Sequence, residues 1–510
     1  MTFNKLSAAW WRFAFLLALL LSALLISTEA QHRGDAVEYS LVTVALATHG
    51  TPDVRPSDIT LARSLAPALQ GVYDLVEPGL RQNGKDLYPA FAIGKDGKAY
   101  SIHFFGYSLL AAPPFKLLHA LGLPPFKAYQ IINLGMVFVL GLSLFRLFGS
   151  APRALLGVLL FMLCGGWHYG GWGSPECLSA AALLAALILY CDDAPIAGGV
   201  LAGLAALQNP TIVFFFAYAP LLRAGLHYRA DAGWRVSLRA MLQRRYLLGL
   251  AIGVLLALLP VLWNLYQFSV PSIIAQRASD PALISLIRLH SFYFDLNQGM
   301  IMGIPGVMAM LLLWGWRKLA TGQIVHQALL LLSCVLFTMA LAIPAMAIHN
   351  WNSDAAGVMR YAFWASMPFL FALFWRLRTL PRWPVALLFG VVLVQAVCTA
   401  EAKRYNYVEL SPLCKWIMQR APGLVNPEPE IFVERSGHLE TYLQQELIYT
   451  FNFGGRAIKT LYNPANTKVD EQLCGTGNRL ASDNHYHDTD RQWRYINGPV
   501  RCQNGAVSHQ

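Results

Sequence analysis

The seven residues Arg33-Gly34-Asp35-Ala36-Val37-Glu38-Tyr39 carry the most suggestive chemistry in this chain. They follow the first apolar run, Phe13 to Thr28, where the chain is expected to leave a bilayer. Asp35 and Glu38 are three apart, so on a helix continuing from that run they share a face, with Tyr39 one residue on. A carboxylate held at a membrane surface can take a proton from a hydroxyl beside a lipid-linked substrate. The plainer reading is a helix cap or a solvated first turn.

Three other groups have similar potential. Glu176 follows Trp167-His168-Tyr169-Gly170-Gly171-Trp172-Gly173-Ser174-Pro175 and opens an apolar run. A carboxylate there is costly if it faces lipid, so it is expected to face a cavity or to serve a helix N-terminus. Lys85, Lys95, Lys98 and His103 lie in a turn-rich stretch, where cations at headgroup depth suit a lipid phosphate or simply meet anionic lipid. Arg360-Tyr361 opens a late apolar run; an arginine there can hold a phosphate oxygen or snorkel to the interface. Phe294-Asp295-Leu296-Asn297-Gln298-Gly299 reads as a structural tight turn.

The elements that must position these groups are mostly membrane helices. Apolar residues make up 56% of the 510 and charged residues 13%, about half the charged fraction of soluble domains. Uncharged runs recur over residues 13–400, many of them near the roughly 20 residues that cross a bilayer. The expected fold class is all-α polytopic, because unpaired backbone is not tolerated in hydrocarbon. The net charge of +11 does not point to nucleic acid, since the excess Lys and Arg lie largely between runs, where they set orientation.

Arg146 and Arg153, the stretch from Arg223 to Arg245, Arg317-Lys318, and Arg376, Arg378 and Arg382 are expected on the cytoplasmic side. Residues 31–126, 168–176, 267–298, 349–360 and 401 onward then face out. This parity makes residues 106–122, with Pro113-Pro114, an interfacial helix. It also breaks 195–222 into two short helices at Gln208-Asn209-Pro210. About eleven spans result: roughly 13–30, 127–147, 154–171, 176–191, 195–208, 211–222, 246–266, 299–316, 326–348, 361–375 and 383–400. The first run, with Lys5 and Arg12 before it and Thr28-Glu29-Ala30 after, also fits a secretory signal. A retained helix is expected, because the residues after it need tethering.

Composition turns polar after Ala400. Residues 402–510 read as a small mixed α/β outer domain beside a 1–401 membrane domain, with β-prone runs at Glu430–Glu434 and Leu447–Phe453. Cys164, Cys177, Cys191, Cys334 and Cys398 lie in or beside spans and read as small buried hydrophobes. Cys474 and Cys502 are the expected disulfide, with Cys414 left over.

The order of these features resembles the GT-C class of polytopic glycosyltransferases, the relatives of protein O-mannosyltransferases and the lipid A aminoarabinose transferase. The matching pieces are Asp35 with Tyr39 after the first span, Ala45-Leu46-Ala47-Thr48-His49-Gly50, Tyr88-Pro89, Pro113-Pro114, the Gly198–Ala205 stretch and Arg360-Tyr361. The resemblance covers about residues 10–400. Two features depart from it: Ala36 splits the usual adjacent acidic pair, and Glu176 stands where Asp is usual. Both weaken the case for a bound metal, so a divalent ion is an option only, and no other cofactor is expected. The resemblance implies inverting transfer from a polyprenyl-phosphate sugar to a glycan, lipid or protein acceptor at the outer face of a bacterial inner membrane. Asp35 would be the base, with Glu38 and Glu176 as further acidic candidates. Tyr39, Lys85, Lys98, His103, Arg360 and Tyr361 would contact substrate. A transporter or flippase of lipid-linked sugars, or an envelope assembly factor, is the alternative.

Overall fold

The computed structural model describes the chain except residues 1–7, 83, 228–234, 237–238, 240, 320–323, 350, 353–356, 439–442 and 505–510. Arg229, Asn350, Ser353 and Asp354 therefore lie outside the described residues, as do the side chains of Arg317 and Lys318. The protein is mostly helical. It divides into two compact units. The first holds residues 1–280, 304–349 and 363–396; the second holds 281–303, 350–362 and 397–510.

Among the described residues six helices are long and apolar enough to cross a bilayer: Ala8–Ser27, Pro125–Phe148, Ala151–Tyr169, Arg244–Phe268, Ala328–Ala345 and Val385–Arg404. Four further apolar helices, Glu176–Cys191, Pro195–Gln208, Pro210–Leu226 and Pro305–Gly315, are shorter. The helices Pro195–Gln208 and Phe215–Leu226 are separated at Asn209-Pro210, where the Asn209 amide donates to Ser179 Oγ at 2.7 Å. Proline has no N–H to continue the ladder, so the break falls there.

The first unit begins with α1 (Ala8–Ser27), α2 (Ala36–His49), α3 (Pro56–Leu65) and α4 (Gln70–Arg81). A two-stranded hairpin follows, β1 (Phe91–Ile93) and β2 (Ala99–Ser101), then α5 (Gly106–Ala120), α6 (Ala128–Phe148) and α7 (Ala151–Phe161). α5 is helical through both prolines. α2 is buried along most of its length and packs in one apolar core with α3, α4, α5 and α6. Its few polar side chains are satisfied inside that core: Ser40 Oγ meets Tyr73 Oη at 3.2 Å and Thr43 Oγ1 meets Tyr129 Oη at 2.7 Å. The helices Pro195–Gln208 and Arg244–Phe268 approach backbone to backbone. A Cβ at Gly199 would collide with the carbonyl of Gly249, which is the close crossing that small residues permit between apolar helices.

Four of the arginines expected on one side meet at one place. Asp192 accepts from Arg146 at 2.9 Å and Arg378 at 2.8 Å, and Asp193 from Arg223 at 2.9 Å with Arg245 at 3.5 Å. Asp192-Asp193, between the helices Glu176–Cys191 and Pro195–Gln208, thus ties the ends of four arginine-bearing helices together, a role that nothing in its sequence context marks.

The second unit carries a four-stranded antiparallel sheet of β3 (Tyr449–Phe453), β4 (Arg456–Tyr462), β6 (Tyr486–Asp488) and β7 (Arg494–Asn497), in the order β3-β4-β7-β6. β5 (Asn478–Leu480) pairs with β8 (Cys502–Asn504), and Cys474 is disulfide-bonded to Cys502 as expected. One β expectation fails: residues 429–433 form the short helix Pro429–Val433. The Glu428 carboxylate accepts from the Glu430 and Ile431 N–H groups and Pro429 sits at the first helical position, so capping overrides the β-preference of Ile and Val. Charged pairs are buried in this unit. Asp295 and Arg435 lie 2.8 Å apart, 2% and 1% exposed, and Arg288 is enclosed with Glu428 and Glu430.

Candidate active site

The helix carrying Asp35 does not continue from α1, contrary to expectation. α1 ends at Ser27 and a short extended segment intervenes. This segment pairs with the stretch before Glu176: the Gln31 N–H donates to Gly171 O at 2.7 Å, and the Gly173 N–H donates to Gln31 O at 3.0 Å. Gln130 donates to Glu29 O at 2.8 Å, and Asn133 holds Gly170 O and Trp172 O at 3.3 and 3.2 Å. The chain then turns at Gly34, whose φ is +64°. A Cβ there would lie 2.9 Å from Ser174 Oγ, so this close approach suits glycine alone. α2 starts after Asp35, whose side chain does not cap it.

This pairing sets Glu176 near the start of α2. Glu176 is 3% exposed and is the first residue of its helix, where the helix dipole favours an anion. Asp35 and Glu38 are half-buried. His103, two residues past β2 and just before α5, brings Nε2 to 3.8 Å from Asp35 Oδ2. Its ring lies 5.4 Å from that of Tyr39. Tyr39 is buried and donates to Gln208 Oε1 at 3.4 Å. Burial first, then the charges of Asp35, Glu176 and Glu38, push its phenol well above the usual value. Tyr39 therefore stays protonated, and three carboxylates act on one ring. Tyr88 is shifted up in the same way, by burial and then by Glu38 and Asp35. Nothing in the sequence around Tyr88-Pro89 or Gln208 marks Tyr88 or Gln208 as neighbours of the site.

One ligand atom each from Asp35, Glu38 and His103 lie within 4.8 Å of one another. Two carboxylates and an imidazole are a donor set that suits zinc or manganese with positions left open. The set fits a divalent ion, although a carboxylate that ligates a cation no longer acts as a free base.

The remaining expected residues fall elsewhere. Lys85 is exposed in the turn after α4. Lys98 faces Asp96 at 3.8 Å and Asp53 at 4.0 Å. Neither contacts the Asp35 cluster among the described residues. Arg360 and Tyr361 belong to the second unit. There Arg360 is buried, with its guanidinium 5.4 Å from the Tyr361 ring centre. A phosphate role for Arg360 rests on its sequence position alone.

Comparison with known protein families, with curated proteins and with solved structures finds no match for this chain.

Proposed function

We propose that this chain is a membrane glycosyltransferase of the GT-C kind. It moves a sugar from a polyprenyl-phosphate donor to a glycan, lipid or protein acceptor on the outer face of a bacterial inner membrane. The observation that carries the proposal is the gathering of Asp35, Glu38 and His103 beside Tyr39, with Glu176 acting on the same phenol.

In this reading the acceptor O–H or N–H gives its proton to Asp35 as its heteroatom bonds to the anomeric carbon. The bond from that carbon to the donor phosphate breaks, and the electron pair leaves with the polyprenyl phosphate. His103 positions the Asp35 carboxylate. The leaving group is already good, so a weak base within hydrogen-bond reach contributes about 10²–10⁴-fold, and holding two membrane-bound substrates together supplies much of the remainder. A divalent ion at Asp35, Glu38 and His103 is the second reading, favoured by their spacing. Bound there, it would supply positive charge to the departing phosphate.

The placement is supported on two counts. Arg146, Arg223, Arg245 and Arg378 share the Asp192-Asp193 cluster, as expected of one cytoplasmic end. The Cys474–Cys502 disulfide suits an oxidising compartment. With the four shorter apolar helices counted as spans beside the six long ones, the total among the described residues is ten; the proposed eleventh is the expected 361–375 span. A reporter active only outside the cytoplasm is therefore expected to be active when fused after Ala400 and silent near Asp231; the reverse pattern overturns the orientation.

The direct test is purified full-length chain given a panel of polyprenyl-phosphate sugars and membrane acceptors. Transfer with release of polyprenyl phosphate is the expected result. Donor binding without turnover would favour transport or assembly instead.

A further inference from the structure

A cavity of about 210 Å³ opens in the first unit, and none of its lining residues belongs to the Asp35 cluster. Its walls include Asp53, Arg55, Pro56, Leu80, Ile93 and Lys98. They come from the loop between α2 and α3, the end of α4 and the β1–β2 hairpin. Backbone and side-chain contacts hold these pieces in place. The Val54 N–H donates to Ala99 O at 2.8 Å, and the Lys95 N–H to Gln267 O at 2.9 Å. Arg277 holds Phe91 O at 2.7 Å, and the Tyr100 ring meets Trp263 edge-on at 5.5 Å. The hairpin is thereby fixed to the end of the long apolar helix Arg244–Phe268.

The lining holds two cations and one carboxylate, with Asp96 and Asp58 just outside it. Asp53 is 3% exposed; Arg55 and Lys98 are 46% and 51% exposed. Arg55 Nε lies 2.9 Å from Asp53 Oδ2, and Lys98 Nζ lies 4.0 Å from the same oxygen. Burial pushes the Asp53 carboxyl up, but hydrogen bonds from Arg55 and Thr51 and the charges of Arg55 and Lys98 outweigh it. The group titrates below its ordinary range and stays ionised. One carboxylate thus faces two cations in the lining. Lys98 also reaches Asp96 at 3.8 Å, outside the lining. Arg55 engages Asp53 through Nε, and a guanidinium's Nη groups can grip two oxyanion oxygens at once. α3 begins at Pro56, so the positive end of its dipole adds to the same wall, offset in part by Asp58 within its first turn. The volume is below the roughly 300–1,000 Å³ of pockets that enclose whole small molecules, and so suits a single headgroup.

We propose that this cavity is a separate site for a phosphate group, held between the Arg55 guanidinium and the Lys98 ammonium. The phosphate is either free or the exposed end of a phosphomonoester lipid. The proposal does not depend on the transfer reaction.

The test uses the purified full chain in phosphatidylcholine nanodiscs. Inorganic phosphate is titrated by calorimetry, and phosphatidic acid retained after detergent exchange is counted by native mass spectrometry. Lys98→Gln removes an exposed cation, leaves the Asp53–Arg55 pair, and is expected to keep the thermal midpoint while weakening binding about ten-fold or more. Asp53→Asn removes the opposing charge and is expected to tighten binding several-fold, a gain that damage to the fold does not produce. Phosphate binding with these effects supports a general phosphate site. Retention of phosphatidic acid without phosphate binding supports a lipid headgroup site. Binding of neither, or binding that Lys98→Gln leaves unchanged, overturns the proposal.

Discussion

Asp35→Asn is expected to lower sugar transfer by about 10²–10⁴-fold, with the protein still folding and still binding its donor. Asn keeps the size and shape of the side chain. Asp35 is half-buried and does not cap α2, so the loss should lie in turnover rather than stability. The measurement is single-turnover release of polyprenyl phosphate, with the thermal midpoint recorded alongside. His103→Ala, which removes the group 3.8 Å from Asp35, should lower the rate by a smaller factor and change its pH profile. A chelator separates the two readings of the cluster. Activity that survives exhaustive chelation fits Asp35 as a free base; activity lost on chelation and restored by manganese or zinc makes Asp35, Glu38 and His103 ligands. Near-wild-type transfer by Asp35→Asn without added metal would end both readings and move attention to Glu176.

The second large effect concerns the second unit. Arg435→Met is expected to destabilise it by about 3–5 kcal/mol, because it strands a buried carboxylate. Asp295 Oδ1 lies 2.8 Å from Arg435 Nη1, and Oδ2 accepts the Asn297 and Gln298 N–H groups at 3.2 and 2.9 Å. The carboxylate therefore both closes the turn and neutralises the arginine. Asp295→Asn keeps an oxygen for the turn and leaves the guanidinium unpaired, so it should cost a similar amount. Combining the two changes should recover most of the loss, since neither charge then remains. Amide hydrogen exchange in residues 281–303 and 443–504 gives the local opening energy directly. Single variants that lose less than about 1 kcal/mol would show that the pair is solvated in solution.

Several features were legible in the sequence because local rules govern them. Long uncharged runs become helices, since each residue's backbone must be satisfied within its own segment. The break at Asn209-Pro210 follows from proline's missing N–H. The pairing of Cys474 with Cys502 followed from their shared polar context. Gathering basic residues into the same set of turns anticipated that Arg146, Arg223, Arg245 and Arg378 share one end. The sequence did not reveal that Asp192-Asp193 is what joins them.

The tertiary structure decided the site. Asp35 and Glu38 were readable as a pair from their spacing, but on the wrong helix: α1 stops at Ser27, and only the pairing of Gln31 with Gly171 and Gly173 sets where α2 begins. His103 joins them because the β1–β2 hairpin delivers it, and Glu176 because Gly34 packs on Ser174. The same kind of long-range contact turned Lys98 toward Asp53. Periodicity and composition report what a segment does with its own neighbours in sequence. They carry no record of which distant carbonyl, glycine or carboxylate it meets, and in this chain those meetings determine which charges share a site.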